Sequence, residues 1–434
     1  MKKLLIIDVA ALGYELLRAG GRLEFDGLRF APAEGVFPAL TCTVQASFRT
    51  AGPPAGHGMV ANGRFFRKLA RVMFWEQSAG LVGGRRLWHG FRSRGGRVGM
   101  LFWQQSLGED ADVLLSPAPI HKHHGGMIQD CYSAPAGLYQ SLCEAVGGRF
   151  NLMRYWGPLA SAKVGDWIAA ATAALLLDGK TAPELCLTYL PTLDYDLQRF
   201  GPAHKRSTAT LARLFDQLRL MLAAAKRNGY QVLIFGDYAM SACAGGPVFP
   251  NRALCESGLL RTRSISGMSY LDLHASRAFA LADHEIAHVF VRNAQDIAPA
   301  RQVLANLPGV AEILDKDSQK AAGLDHPNSG ELVITADGGR WLAYPWWSKN
   351  SQAPDYARHV DIHNKPGYDP CELFFERFGW PPMCVSSDAS RVRGSHGTAG
   401  PGRQVAWAAT FDLGQPTGSL IELAEAVRTW LDAP

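Results

Sequence analysis

Hydrophobic and polar positions alternate along this chain with two different periods. Lys3 to Val9 is an aliphatic run, interrupted only by Asp8, of the kind buried on both faces of a parallel sheet, and helical spacing takes over from Leu12. The succession returns later. An amphipathic helix predicted over Ser207 to Asn228, closed by Gly229, leads into the apolar run Tyr230 to Phe235. Further strands are predicted at Val98 to Trp103, Leu185 to Leu190 and Ala406 to Phe411, with a C-terminal amphipathic helix over Leu420 to Leu431. Alternating strands and helices predict an α/β fold with a mainly parallel sheet flanked by helices.

From about Gly245 to Ser390 the pattern changes. Short β-like runs (Ala278 to Ala282, Ile286 to Val291, Leu332 to Ile334) and one helical stretch near Pro299 to Leu307 are separated by Gly, Pro, Asn and Ser. Residues 245–390 are therefore expected to form an inserted cap, and residues 1–244 and 391–434 the core. The aromatics Tyr344, Trp346 and Trp347 in the insert suit either stacking on a base or an apolar wall.

Composition adds limits. The 434 residues are 47% hydrophobic and 19% charged, and 44 Lys+Arg against 39 Asp+Glu leave +5, thinly spread. Without a Lys/Arg block, a nucleic-acid polymer is not an expected partner. The longest apolar stretch, Trp167 to Leu177, lies between Asp166 and Asp178. It is shorter than the ~20 residues of a membrane helix and predicts a buried one. The N-terminus imitates a secretory signal, but Asp8 interrupts its apolar run, which is read as the first strand. Eight cysteines without CxxC spacing suggest reduced thiols and a cytoplasmic setting.

In an open α/β sheet, sites form beyond the carboxyl ends of strands. Polar residues ending apolar runs are Asp8, Asp194 in LPTLDYDLQRFGP, Asp237 in VLIFGDYAM and His396 in VRGSHGTAG. Each alone suits a turn or cap; together they suit a divalent metal. Thr41 precedes a helix-compatible run, where a hydroxyl is either an N-cap or a nucleophile whose pKa a metal must lower.

The residues Pro38-Ala-Leu-Thr41, the Thr50-Ala-Gly turn and His57-Gly-Met-Val-Ala-Asn62, followed by LWHGFRSRGGRVGMLFW, LDYDLQRFGP, FGDYAM and GSHG, resemble in order and spacing the nucleotide pyrophosphatase/phosphodiesterase family of the alkaline phosphatase superfamily. The resemblance runs from about residue 4 to 412. It implies an alkaline-phosphatase-like fold that hydrolyses phosphodiester, pyrophosphate or related phosphoester bonds of a small phosphorylated or nucleotide-like substrate. Thr41 would be the nucleophile, passing through phosphothreonine, and a metal ligand; Asn62 would donate to the phosphoryl oxygens. Two divalent ions are implied, zinc in the first instance and manganese or iron as alternatives, held by Asp8, Thr41, Asp194, Asp237 and His396.

The sequence departs from that pattern at three ligands. Ala10-Ala11 aligns with the family's DG pair, so Asp8 serves only if shifted by two residues. Gln198 and Tyr238 replace the histidines of "GH" and "DH". His363 in DIHNKPGYDP is a candidate recruit, and in PIHKHHGG His123 and His124 are candidates for substrate phosphate, set against a solvated loop. His57 is read as turning the chain. A noncatalytic or differently metallated phospho-metabolite binder is the alternative function. A remote alternative is the zincin pattern of His284, Glu285 and His288, with Glu312 as a possible third ligand. Its flanks favour a strand, which would hold the two histidines about 13 Å apart.

Overall fold

The computed structural model describes residues 1–363, 365–376, 383–414 and 417–433. Its centre is an eight-stranded sheet in the order Cys131–Ala134, Val113–Pro117, Val98–Leu101, Leu185–Leu190, Leu4–Val9, Gln231–Gly236, Val405–Ala409, Ala31–Ala33. The five strands from Val113–Pro117 to Gln231–Gly236 run parallel, and the three remaining pairings, at the two edges, are antiparallel. The mainly parallel α/β fold is thus as expected, with antiparallel margins that the hydrophobic runs did not announce.

Leu4–Val9 is fully buried, and its side chains alternate between two cores. Leu5, Ile7 and Val9 pack with the helices Lys163–Leu177 and Lys205–Arg227, while Leu4 and Ile6 pack with Thr41–Thr50 and Leu420–Asp432. The predicted buried helix therefore lies inside Lys163–Leu177. Among the described residues no helix is long and apolar enough to cross a membrane.

Within residues 245–390 a second, antiparallel sheet has the order Ala278–Asp283, Ile286–Val291, Leu332–Ala336, Val310–Leu314. Tyr344, Trp346 and Trp347 pack edge to face in its core, with ring centroids 5.1–6.2 Å apart. They serve as packing and do not line the cavity described below. The first two strands meet in a two-residue turn, His284 and Glu285, which reaches the carboxyl end of the main sheet. There Glu285 N donates to His396 O at 2.9 Å. Gly397, at φ 133°, follows His396; a Cβ there would stand 3.1 Å from Glu285 N, so the close approach needs glycine.

Candidate active site

A cavity of about 220 Å³ opens at this sheet end. Thr41, Asp194, Tyr238, His284, Tyr368 and His396 line its floor, and Trp75, Phe102, Leu152, Met153, Tyr155 and Trp156 are among its walls. None of the described lining residues is Lys or Arg.

Thr41 is the first residue of helix Thr41–Thr50, and its hydroxyl lies against Asp237. Asp237 follows strand Gln231–Gly236 and accepts from Ala11 N at 3.1 Å and Tyr238 N at 2.8 Å through Oδ1; Oδ2 has no hydrogen-bond partner of good geometry. Asp8 lies in the neighbouring strand Leu4–Val9, in register with Phe235; its Oδ2 accepts from Gln45 Nε2 at 2.7 Å and Oδ1 is unpartnered. Burial pushes the Asp8 carboxyl up to about 8, the Gln45 amide partly offsetting it. Asp237 is held well above the carboxylate range by burial and by the Asp8 charge. Two bare oxygens on adjoining buried carboxylates, beside a hydroxyl, form a donor set that fits one hard divalent cation.

The other half of the site is organised differently. Asp194 opens the helix Asp194–Phe200 and accepts from Tyr238 Oη at 2.9 Å and from Gln198 Nε2 at 2.7 Å, one on each carboxylate oxygen. Gln198 Oε1 accepts from Tyr368 Oη at 2.8 Å. Tyr368 stacks on His284 (3.6 Å between centroids), His284 lies 3.8 Å from His396, and His396 stacks on Tyr238 at 3.4 Å and 2°. These six side chains form a closed, buried circuit. His284 Nδ1 pairs with Asp283 Oδ1 at 2.7 Å and His396 Nδ1 with Ala39 O at 2.7 Å, while His284 Nε2 has no partner. Burial holds both imidazoles well below their ordinary pKa, so both are neutral. Asp194 is raised to about 6, again by burial. With both Asp194 oxygens engaged by protein donors, the imidazole-type subsite does not fit a second ion. Among the described residues no three His, Cys, Asp or Glu side chains meet as a metal-holding group.

The structure brings Thr41, Asp194, Asp237 and His396 together at this sheet end, and gives several other candidates protein partners of their own. Asn62 clamps the protein itself: Oδ1 accepts from Cys42 N at 3.0 Å, and its N and Nδ2 donate to Asp283 at 2.8 and 3.2 Å. His123 and His124 are exposed beside the ribbon Ile120–His121/Met127–Ile128, away from the lining; His121 lines the cavity instead. His363 stands at the wall with its ring 6.4 Å from that of His121 and Nδ1 paired with Phe74 O at 3.2 Å, outside the circuit. His57 pairs with Ser47 Oγ at 2.8 Å and accepts from Met59 N, a structural role.

The zincin geometry is absent. His284 is a turn residue, and His288 lies in strand Ile286–Val291 with its nitrogens paired to Val60 O and Gly330 N. Glu285 is tied to Ser241, Thr398 and Arg403, and Glu312 is exposed. The residues that sequence reasoning did not place in the site are His284, reached only through that rival motif, its neighbour Asp283, and Tyr368. His284 adopts φ 63° at the turn, a backbone region that costs a non-glycine residue about 1–2 kcal/mol.

The model of the family described as Type I phosphodiesterase / nucleotide pyrophosphatase matches residues 22–369. No curated protein sequence matches the chain. Among solved structures, phosphonoacetate hydrolase from Sinorhizobium meliloti 1021 in complex with phosphonoformate is similar at 14% identity and TM-score 0.63, covering 100% of this chain and 96% of that one. Murine ectonucleotide pyrophosphatase / phosphodiesterase 5 is similar at 13% identity and TM-score 0.61, with the same coverage.

Proposed function

Because the chain belongs to the type I phosphodiesterase / nucleotide pyrophosphatase family, we propose that it hydrolyses a small phosphoester in the cavity beside Thr41. The observation that carries this reading is Thr41 itself, at a helix N-terminus, facing the cavity with its hydroxyl against a bare carboxylate. Thr41 Oγ attacks phosphorus and gives its proton to solvent, while the bond from phosphorus to the leaving oxygen breaks and that oxygen takes a proton from water. Water then releases phosphate from the threonine. A divalent cation held by Asp8, Asp237 and Thr41 would lower the hydroxyl pKa and neutralise phosphoryl charge, which no lining Lys or Arg does. The apolar wall of Trp75, Phe102 and Trp156 suits a substrate with a small aromatic or apolar ester group. All eight cysteines are free thiols, which supports a cytoplasmic setting.

A second reading, a phospho-metabolite binder without turnover, is favoured by Gln198 and Tyr238 on Asp194. Hydrolysis of p-nitrophenyl phosphate mono- and diesters with Mn²⁺, Mg²⁺ or Zn²⁺ separates the two. Turnover that falls at least about 100-fold in Thr41→Ala supports the first, in line with losing a nucleophile. Turnover unchanged by that substitution removes Thr41 from the role. Saturable binding of the esters without turnover supports the second.

A further inference from the structure

We infer that this chain holds one divalent cation in its site rather than two, because Tyr238 and Gln198 fill the second position with hydrogen bonds and stacked rings. The residues that an ion at that position would have to join are Asp194 and His396. Tyr238 already joins them: its hydroxyl donates to Asp194 at 2.9 Å and its ring lies flat on His396 at 3.4 Å. Gln198 takes the other Asp194 oxygen through its amide N–H at 2.7 Å. Its orientation is fixed from behind, since Tyr368 Oη donates to the carbonyl end. Gln198 thus presents Asp194 with a donor, where a metal ligand must present a lone pair.

The substitutions compensate one another. A buried carboxylate without its cation is costly unless donors replace it, and Asp194 has one donor per oxygen. Gln198 donates to Asp194 from the i+4 position of the helix Asp194–Phe200, and Tyr238 reaches it from the end of strand Gln231–Gly236, across Leu4–Val9. The contrast with the other half of the site is internal to the molecule. Asp8 Oδ1 and Asp237 Oδ2 are left bare, whereas the Asp194 oxygens are not. The inference rests on the proposed phosphoester site only for the first ion; the blocked second position stands apart from turnover.

The test is metal stoichiometry of the full chain, dialysed against zinc, then against metal-free buffer, and measured by elemental mass spectrometry. Wild type is expected to retain no more than one ion per chain. The Gln198→His/Tyr238→His variant, with its fold checked by circular dichroism, is expected to retain one more and to show, with cobalt, the intense visible absorption of a tetrahedral nitrogen-containing site. Gln198→His alone keeps the tyrosine and is expected to gain none. Two ions on the wild type overturn the inference, as does an ion gained by Gln198→His alone, or a folded double variant that gains none. Should the double variant not fold, the other two measurements still decide. Failure of wild-type hydrolysis would sink the proposed function and leave these counts unaffected.

Discussion

Lys365 offers a direct measure of how the loop carrying Tyr368 is held. Its ammonium is 1% exposed and donates to Asp369 Oδ2 at 2.8 Å, Glu372 Oε1 at 2.9 Å and Ala357 O at 3.3 Å. Glu372 in turn accepts from Trp156 Nε1 at 2.5 Å and Asp361 N at 2.9 Å, so the cluster ties the cavity wall to the loop. Lys365→Met keeps most of the volume and leaves two buried carboxylates without a cation. Removing one partner of a buried ion pair costs about 3–5 kcal/mol. The expected result in urea unfolding, followed by tryptophan fluorescence, is a loss of that size in the unfolding free energy. Replacing the whole cluster, as Lys365→Met/Asp369→Asn/Glu372→Gln, removes the uncompensated charges and should recover more than half of it. A single variant that loses less than about 1 kcal/mol, or a triple variant no better than the single, would refute the charge argument and leave packing as the explanation.

Two further outcomes follow from the site. Asn62→Ala removes an acceptor from Cys42 N and one donor from buried Asp283, and should cost about 2–4 kcal/mol in unfolding experiments at the usual value of buried hydrogen bonds, two of them to a charged group or a helix end; a purely functional Asn62 would leave stability unchanged. Asp8, with its folded pKa at about 8 against 3.8 unfolded, and Asp237, shifted the same way, bind protons that the unfolded chain releases. Their contribution is present below the unfolded value and lost as pH rises through the folded one. The melting temperature of metal-free protein should therefore fall between pH 7 and 8.5, above the range where its buried histidines matter. Asp8→Asn should flatten that slope and millimolar Mn²⁺ should oppose it; a melting temperature rising over this window contradicts the assignment.

The parallel centre of the sheet was legible because strands buried on both faces, such as Leu4–Val9 and Leu185–Leu190, are predominantly apolar along their whole length. The edge strands Ala31–Ala33 and Cys131–Ala134 are short and mixed, so no period marks them, and the short parallel strand Val113–Pro117 went unmarked as well. Thr41, Asp194, Asp237 and His396 were legible from their place at the ends of runs and from their order. Spacing put Asn62 in the right neighbourhood but does not say whether its amide turns to a ligand or to Asp283, a residue 221 positions away. His284 had no local signal beyond a five-residue pattern that pointed to other chemistry, because its role arises from a tertiary approach of the turn to His396. The fate of Asp194 was equally hidden: the sequence shows Gln198 and Tyr238 in place of histidines, and only their geometry shows that they act as donors to one carboxylate.

The six-residue circuit draws its members from five separate stretches of chain, and two of them, His284 and Tyr368, come from within residues 245–390. An insert that merely roofed the cavity would be a removable accessory, free to be exchanged as substrates change. Here its turn is wedged into the floor, so taking it away would unstack His396 and leave Gln198 without its anchor. Residues 245–390 and the end of the main sheet are therefore constrained to vary together, because they share one stack of rings.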